Sequence, residues 1–235
     1  MSATGRGSER NEDDFYATPA WCVRRLLEAV RLPPGFWLEP GAGTGAIIEA
    51  VGPGDIIWTA VDKKLRPDRV MRSDTAWWEE DFLGDEVVCL AADMGGFNVA
   101  LGNPPYKLAQ QFADRCFMLS KWTALLLRLN FLGSEERAGW WEKHPADVYV
   151  LPNRPSFCVK AKCPNCGTQA TYPADTKTLP ALCIKCGAKN RVTRTDATEY
   201  AWFVWPGAGQ LYHLALTPES ERYNRAPMPT QEKHQ

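Results

Sequence analysis

Apolar positions along this chain fall into two alternating rhythms. Short continuous apolar runs, each closed by a turn signal, predict buried strands at Phe36–Glu39, Asp55–Val61, Phe97–Leu101, Thr123–Phe131, Ala146–Leu151 and Tyr200–Trp205. Between them the spacing turns helical. Val23, Leu26, Leu27 and Val30 follow Thr18-Pro19, which read as an N-cap and first helical position, and Pro33-Pro34-Gly35 ends that helix. Ala46–Val51 and Leu108–Leu119 read as further helices, and Ser134 as the N-cap of a helix running to Lys143. Residues 63–96 carry no decisive period, so Trp77–Leu83 and Val87–Ala92 each fit a strand or a short helix. Strands alternating with helices, each strand apolar on both sides, predict an α/β fold with a parallel sheet covered on both faces.

Composition bounds that picture without altering it. The 235 residues are 45% hydrophobic and 23% charged, enough for one substantial core in one domain, or in one domain with a small insert. Lys plus Arg is 27 and Asp plus Glu is 28, a net charge of -1, so contact with nucleic acid requires a local basic patch. No run of 18 apolar residues predicts a membrane span, and no membrane partner is expected. The first residues, MSATGRGSERNEDDF, hold no apolar signal core, so a cytoplasmic location with reduced thiols is expected. The eight Cys are therefore read as metal ligands or buried thiols before disulfides. Residues 1–14 and 218–235 are polar and are expected to be flexible ends.

Two motifs follow predicted strands. Gly41-Ala42-Gly43-Thr44-Gly45 lies between a strand and a helix, where glycines let a backbone approach a ligand. With Ala46 and Asp62 it also satisfies a dinucleotide pattern, but Glu39 before it disfavours a pyrophosphate and suits a cation such as the sulfonium and ammonium of S-adenosylmethionine. Asn103-Pro104-Pro105-Tyr106 closes the strand at Phe97–Leu101. Its prolines fix the backbone, so the Asn103 side-chain oxygen and the Pro104 carbonyl present two acceptors, which an NH2 group requires, and Tyr106 adds a flat face.

With these motifs in this order, the chain resembles the S-adenosylmethionine-dependent DNA adenine-N6 methyltransferases whose cofactor motif is N-terminal. The resemblance covers roughly residues 15–157 and 198–205 and implies a Rossmann-like class I methyltransferase sheet built from 15–158 and 196–217. Tyr16-Ala17-Thr18-Pro19 is similar to the motif that closes over the methionine end of the cofactor, and Glu39 with Gly41 and Gly43 to the glycine loop. Asp62 matches the acid that binds the ribose hydroxyls. Asp81-Phe82 is similar to the segment where Asp meets the cofactor's adenine amine and Phe stacks on its ring, with Asp93 the alternative acid. Asn103, Pro104, Pro105 and Tyr106 match the catalytic tetrad, and Arg154-Pro155-Ser156-Phe157 the motif whose aromatic residue packs on the extruded base beside Tyr106. The implied activity is methyl transfer to the N6 amine of a flipped-out adenine in DNA, in a bacterial or phage-encoded enzyme. The alternatives are RNA or protein glutamine methylation, an inactive nucleic-acid-binding protein on the same fold, and a dinucleotide oxidoreductase.

Residues 159–195 change character. Cys163-Pro-Asn-Cys166-Gly and Cys183-Ile-Lys-Cys186-Gly are paired knuckles separated by 16 residues, the spacing of a closed tetrahedral zinc site in a zinc ribbon. The other four cysteines, Cys22, Cys89, Cys116 and Cys158, read as packing residues. Lys160, Lys162, Lys177, Lys185, Lys189, Arg191 and Arg194 face one acid, Asp175, so this insert is the expected basic patch, with Lys185, Lys189 and Arg191 as candidate contacts to nucleic acid. Trp77-Trp78 and Trp140-Trp141 read as packing residues, and His144, His213 and His234 as surface or loop residues.

Overall fold

The computed structural model describes residues 17–173, 181–193 and 198–218. Its first helix α1 (Ala20–Ala29) leads into strand β1 (Gly35–Pro40), helix α2 (Ala46–Val51) and strand β2 (Ile56–Asp62). Strand β3 (Thr75–Glu79), helix α3 (Glu86–Asp93), strand β4 (Phe97–Gly102), helix α4 (Ala109–Leu119) and strand β5 (Ser120–Arg128) follow. The ambiguous stretch is thus one strand and one helix. After helix α5 (Ala138–Lys143) come β6 (Asp147–Val150), then β7 (Cys158–Lys162), β8 (Gln169–Pro173) and β9 (Arg191–Thr193), and finally β10 (Tyr200–Trp205) and β11 (Leu211–His213).

Eight strands form one sheet in the order β11-β6-β10-β5-β4-β1-β2-β3. Strands β1 to β5 run parallel, and β10 inserts antiparallel between β5 and β6. Alternate side chains on each strand feed two cores. Trp37, Ala124, Leu126 and Trp202 face α1 and α2, while Leu38, Leu125, Leu127 and Phe203 face α3 and α4. This explains the unbroken apolar runs: a strand covered on both faces has no polar side to show. A second, three-stranded sheet, β8-β7-β9, lies in the cysteine-rich stretch. No described helix is long and apolar enough to cross a membrane.

Several expectations at helix ends are corrected. Pro19, not Thr18, occupies the N-cap of α1, with no side-chain cap, because the Thr18 hydroxyl is engaged elsewhere. Leu108 belongs to a 3-10 turn (Tyr106–Leu108) that precedes α4, and β5 stops at Arg128 before another such turn, Leu129–Phe131. Ser134 makes no cap; a 3-10 turn, Glu135–Arg137, leads into α5. Cys22 and Cys116 are buried as expected, but Cys89 is exposed on α3, where the core-facing positions are Val87 and Ala91. Trp140 and Trp141 pack with Phe131, Phe203 and Trp205, as packing residues do.

Candidate active site

Strands β1 and β4 are neighbours whose chains leave toward opposite faces, β1 into α2 and β4 into α4. Such a reversal opens a crevice at the carboxyl ends of the strands, the usual ligand site of an open α/β sheet. Both motifs end there. A Cβ on Gly102 would stand 3.0 Å from Cδ and Cγ of Pro40, so the absence of a side chain at Gly102 lets the two strand ends touch. In the glycine loop, Gly41, Gly43 and Gly45 have φ of 67°, 57° and 75°, a left-handed run that other residues enter at a cost.

Glu39 is 3% exposed, and its Oε2 has no hydrogen-bond partner. Burial pushes its carboxyl well above the usual range, although backbone N–H groups of Ile48 and Ile47 pull the other way. Asp62, at the end of β2, accepts the Gly43 N–H at 2.7 Å and the Lys64 N–H at 3.1 Å, which ties the glycine loop to the next strand. Asp81 follows β3 at the same edge and pairs with Lys63 at 2.9 Å. Partial burial works against its charge, but the Lys63 ammonium and the Leu83 N–H hold it below the usual range. Asp93 ends α3, which returns the chain to the opposite edge of the sheet, so of the two acids Asp81 is the one that follows a strand at its carboxyl end. Phe82 is 2% exposed and leans on Phe112 of α4, with ring centroids 4.8 Å apart. Phe112 also lies 3.7 Å from the Cβ position of Gly41. It is an aromatic wall of the crevice that the sequence did not single out, because its helical spacing reads simply as core.

Asn103 follows β4. Its Nδ2 donates to Thr18 Oγ1 at 3.1 Å, and its Oδ1 is buried without a partner. Thr18 is therefore placed against the tetrad, beside Ala17 and Pro19, the other described residues of the predicted N-terminal motif; Tyr16 lies outside the described residues. Pro104 is buried and Pro105 exposed. The Tyr106 ring contacts Tyr200 at 5.6 Å, and Arg128 stacks over it at 4.7 Å. Burial, then Tyr200, pushes the Tyr106 phenol well above its usual value. Phe157 is buried and makes an edge contact with the same Tyr200 at 5.1 Å. Tyr200 thus joins the two residues predicted to stack on a base, and only the folded sheet brings it there. Arg154 pairs with Glu199, both half exposed.

The four predicted cysteines converge. Their sulfurs all lie within 4.8 Å of one another, with Cys163 to Cys186 at 3.4 Å and Cys166 to Cys183 at 3.6 Å. A tetrahedral zinc with bonds of about 2.3 Å sets its sulfurs about 3.8 Å apart. The two knuckles repeat one geometry. Cys163 N–H donates to Thr168 O and Gly167 N–H to Cys163 O; Cys183 N–H donates to Ala188 O and Gly187 N–H to Cys183 O. Amides of Cys166 and Lys185 point at sulfur. Thr168 pushes the Cys166 thiol down to about 6, while Cys186, despite the Ala188 N–H, is pushed up to about 11 by Cys163 and Cys166. Crowded thiols that cannot all ionise together are what a divalent cation resolves. Lys162, Lys185, Lys189 and Arg191 are exposed around this cluster; Lys177, Arg194 and Asp175 lie outside the described residues.

No family model matches the chain, and no curated protein matches it in sequence. Among solved structures, it is similar to a candidate RNA methyltransferase from Pyrococcus horikoshii (12% identity, 85% of this chain and 91% of that chain, TM-score 0.46). It is also similar to precorrin-6y C5,15-methyltransferase from Geobacter metallireducens (13% identity, 82% and 95%, TM-score 0.42). A third is the modification subunit of a candidate type I restriction enzyme from Vibrio vulnificus (14% identity, 94% and 52%, TM-score 0.47), of which the chain spans about half the length.

Proposed function

We propose that this chain is an S-adenosylmethionine-dependent methyltransferase acting on the N6 amine of an adenine flipped out of DNA. The observation that carries the reading is the Asn103 side chain. Its amide nitrogen is held by Thr18, and its oxygen is left as a buried acceptor without a donor. A buried acceptor without a donor costs about 1–3 kcal/mol, so the site favours a ligand that brings an N–H. An exocyclic amine is such a ligand. Its lone pair is delocalised into the base, and acceptors drawing on its hydrogens favour a pyramidal nitrogen with a localised pair. Asn103 and the Pro104 carbonyl are the two acceptors in this reading, and the tetrad prolines keep them rigid.

The residues around the glycine loop fit the cofactor. The unpartnered Oε2 of Glu39 suits a cationic group, and Asp62 and Asp81 add carboxylates along one edge for hydroxyls and an amine. Bound there, S-adenosylmethionine supplies an electrophilic methyl group. Duplex adenine hides its amine in the base pair, so the base must leave the stack, and Tyr106 is the ring it meets. The exposed Lys185, Lys189 and Arg191 of the cysteine-rich sheet suit phosphates of the flanking duplex.

Incubation with labelled S-adenosylmethionine and unmethylated DNA, followed by nucleoside analysis, tests this. N6-methyladenine is expected. Label in RNA or protein alone, or methylcytosine as product, rejects the substrate. Calorimetric binding of a nicotinamide dinucleotide, with S-adenosylmethionine ignored, rejects the cofactor. Asn103→Ala is expected to lower turnover by about 100-fold with cofactor affinity little changed.

A further inference from the structure

Arg128 is the last residue of β5, at the carboxyl edge beside β4, whose end carries Asn103. Most arginines among the described residues are anchored. Arg72 holds Asp74 and the Ile48 carbonyl, Arg115 the carbonyls of Leu83 and Gly84, and Arg137 those of Phe131, Asn130 and Gly133. Arg128 differs. Among the described residues no hydrogen bond or ion pair reaches its side chain, and its Nε is buried without a partner. It stacks on Tyr106, with the guanidinium carbon 4.7 Å from the ring centroid.

A ring face attracts a guanidinium but offers its N–H groups no in-plane acceptor, so the buried Nε–H of Arg128 stays unsatisfied. That Nε–H is a donor for which a ligand can supply the acceptor. The guanidinium is flat, and it covers one face of the tetrad tyrosine. A base arriving on that face displaces a charged fork that has no protein acceptor to go to. The incoming strand brings one, because each nucleotide carries a phosphate, the group a guanidinium fork matches best.

We propose that Arg128 is a substrate-binding residue: its guanidinium stands on Tyr106 in place of the target base and moves onto a phosphate of the strand carrying that base when the base enters. The proposal rests on the reading of Tyr106 as a base platform. It accounts for an arginine directly after the apolar run Ala124–Leu127, with no ion pair to it among the described residues.

The test is binding of a mixed-sequence single-stranded DNA oligonucleotide of about 20 nucleotides, followed by fluorescence anisotropy from about 50 to 200 mM salt. Wild type, Arg128→Ala and Arg128→Lys are compared, with S-adenosylmethionine affinity measured on each. Arg128→Ala is expected to bind the oligonucleotide about tenfold more weakly at the lowest salt. The slope of log affinity against log salt should shrink by about 0.7, the contribution of one phosphate contact on a single strand. Arg128→Lys should keep the slope, and cofactor affinity should be the same in all three. An unchanged slope in Arg128→Ala, or an equal loss of cofactor affinity, overturns the proposal. A wild-type protein that binds the oligonucleotide with the expected slope difference yet never methylates adenine overturns the methyltransferase reading and leaves the phosphate contact standing. A wild-type protein that does not bind the oligonucleotide overturns the phosphate contact and leaves the methyltransferase reading to the nucleoside analysis.

Discussion

At the scale of single residues, the site is defined by polar atoms that the fold buries and leaves unsatisfied. Thr18 Oγ1 takes the amide nitrogen of Asn103 across 85 positions of sequence, which fixes where Oδ1 points. Thr18→Val keeps the shape and removes that acceptor. Turnover should fall by about tenfold, and Thr18→Ser should restore it while both variants bind cofactor alike; equal losses in the two would show that packing, not the hydroxyl, matters. Glu39 shows the other side of burial. Its carboxyl keeps a proton above the pH at which an unfolded chain releases one. Between those two values the folded state binds more protons, so Glu39's contribution to stability is present below the unfolded value and fades as pH rises through the folded one. Glu39→Gln removes this dependence, and urea midpoints measured from acid to neutral pH should fall less in the variant. A cation at Oε2 favours the ionised form, so cofactor binding below the raised value should release protons. Calorimetry in buffers of different ionisation enthalpy reads that release, and Glu39→Gln should abolish it.

At the scale of elements, sequence and structure agree where one physical signal dominates. β1, β2, β4 and β10 are apolar on both faces and bounded by turn residues, so their existence was legible within a residue or two. Residues 63–96 were not legible, because β3 is an edge strand with Trp78 exposed, and α3 buries only Val87 and Ala91. Neither shows a full period. The start of α1 was misplaced by a residue because Thr18 serves a partner distant in sequence, which local capping rules do not see. The motifs themselves were readable, but Arg128, Tyr200 and Phe112 were not. Each acquires its neighbour only when β4, β5, β10 and α4 come together. Gly102 ties this scale to the site. A Cβ there meets the Pro40 ring at 3.0 Å and the Pro40 carbonyl oxygen at 3.2 Å, and neither is a flexible chain end. Gly102→Ala should separate β1 from β4 and cost about 1–3 kcal/mol in urea unfolding. Asn103 should move with it, so turnover should fall further than the stability loss alone explains.

At the scale of the whole molecule, two kinds of stability are joined in one chain. The large sheet has an apolar core on each face, which suffices without a ligand. The three-stranded sheet does not. Among its described side chains only Ala161, Cys163 and Cys183 are buried, while Leu182, Ile184 and Val192 are exposed. So small an interior cannot offset the entropy of ordering β7, β8 and β9, and four converging sulfurs are what remains to hold them. We expect one zinc per chain, bound by Cys163, Cys166, Cys183 and Cys186 and measurable by elemental analysis. All four ligands must be thiolates, so affinity should weaken as pH falls and protons compete for sulfur. A chelator should therefore disorder this sheet while the large one keeps its unfolding transition and its cofactor affinity. DNA binding should suffer, because Lys185, Lys189 and Arg191 lose their fixed positions. Deleting residues 160–194 and closing the gap with a short glycine linker separates the two parts completely. The shortened protein should still bind S-adenosylmethionine, but its affinity for duplex DNA should drop, and the salt slope should fall by about 0.9 for each phosphate the protein no longer neutralises. Methylation of the same sites with an unchanged slope would mean that the cysteine-rich sheet serves only its own architecture, and that the residues choosing the target lie on the rim of the large sheet.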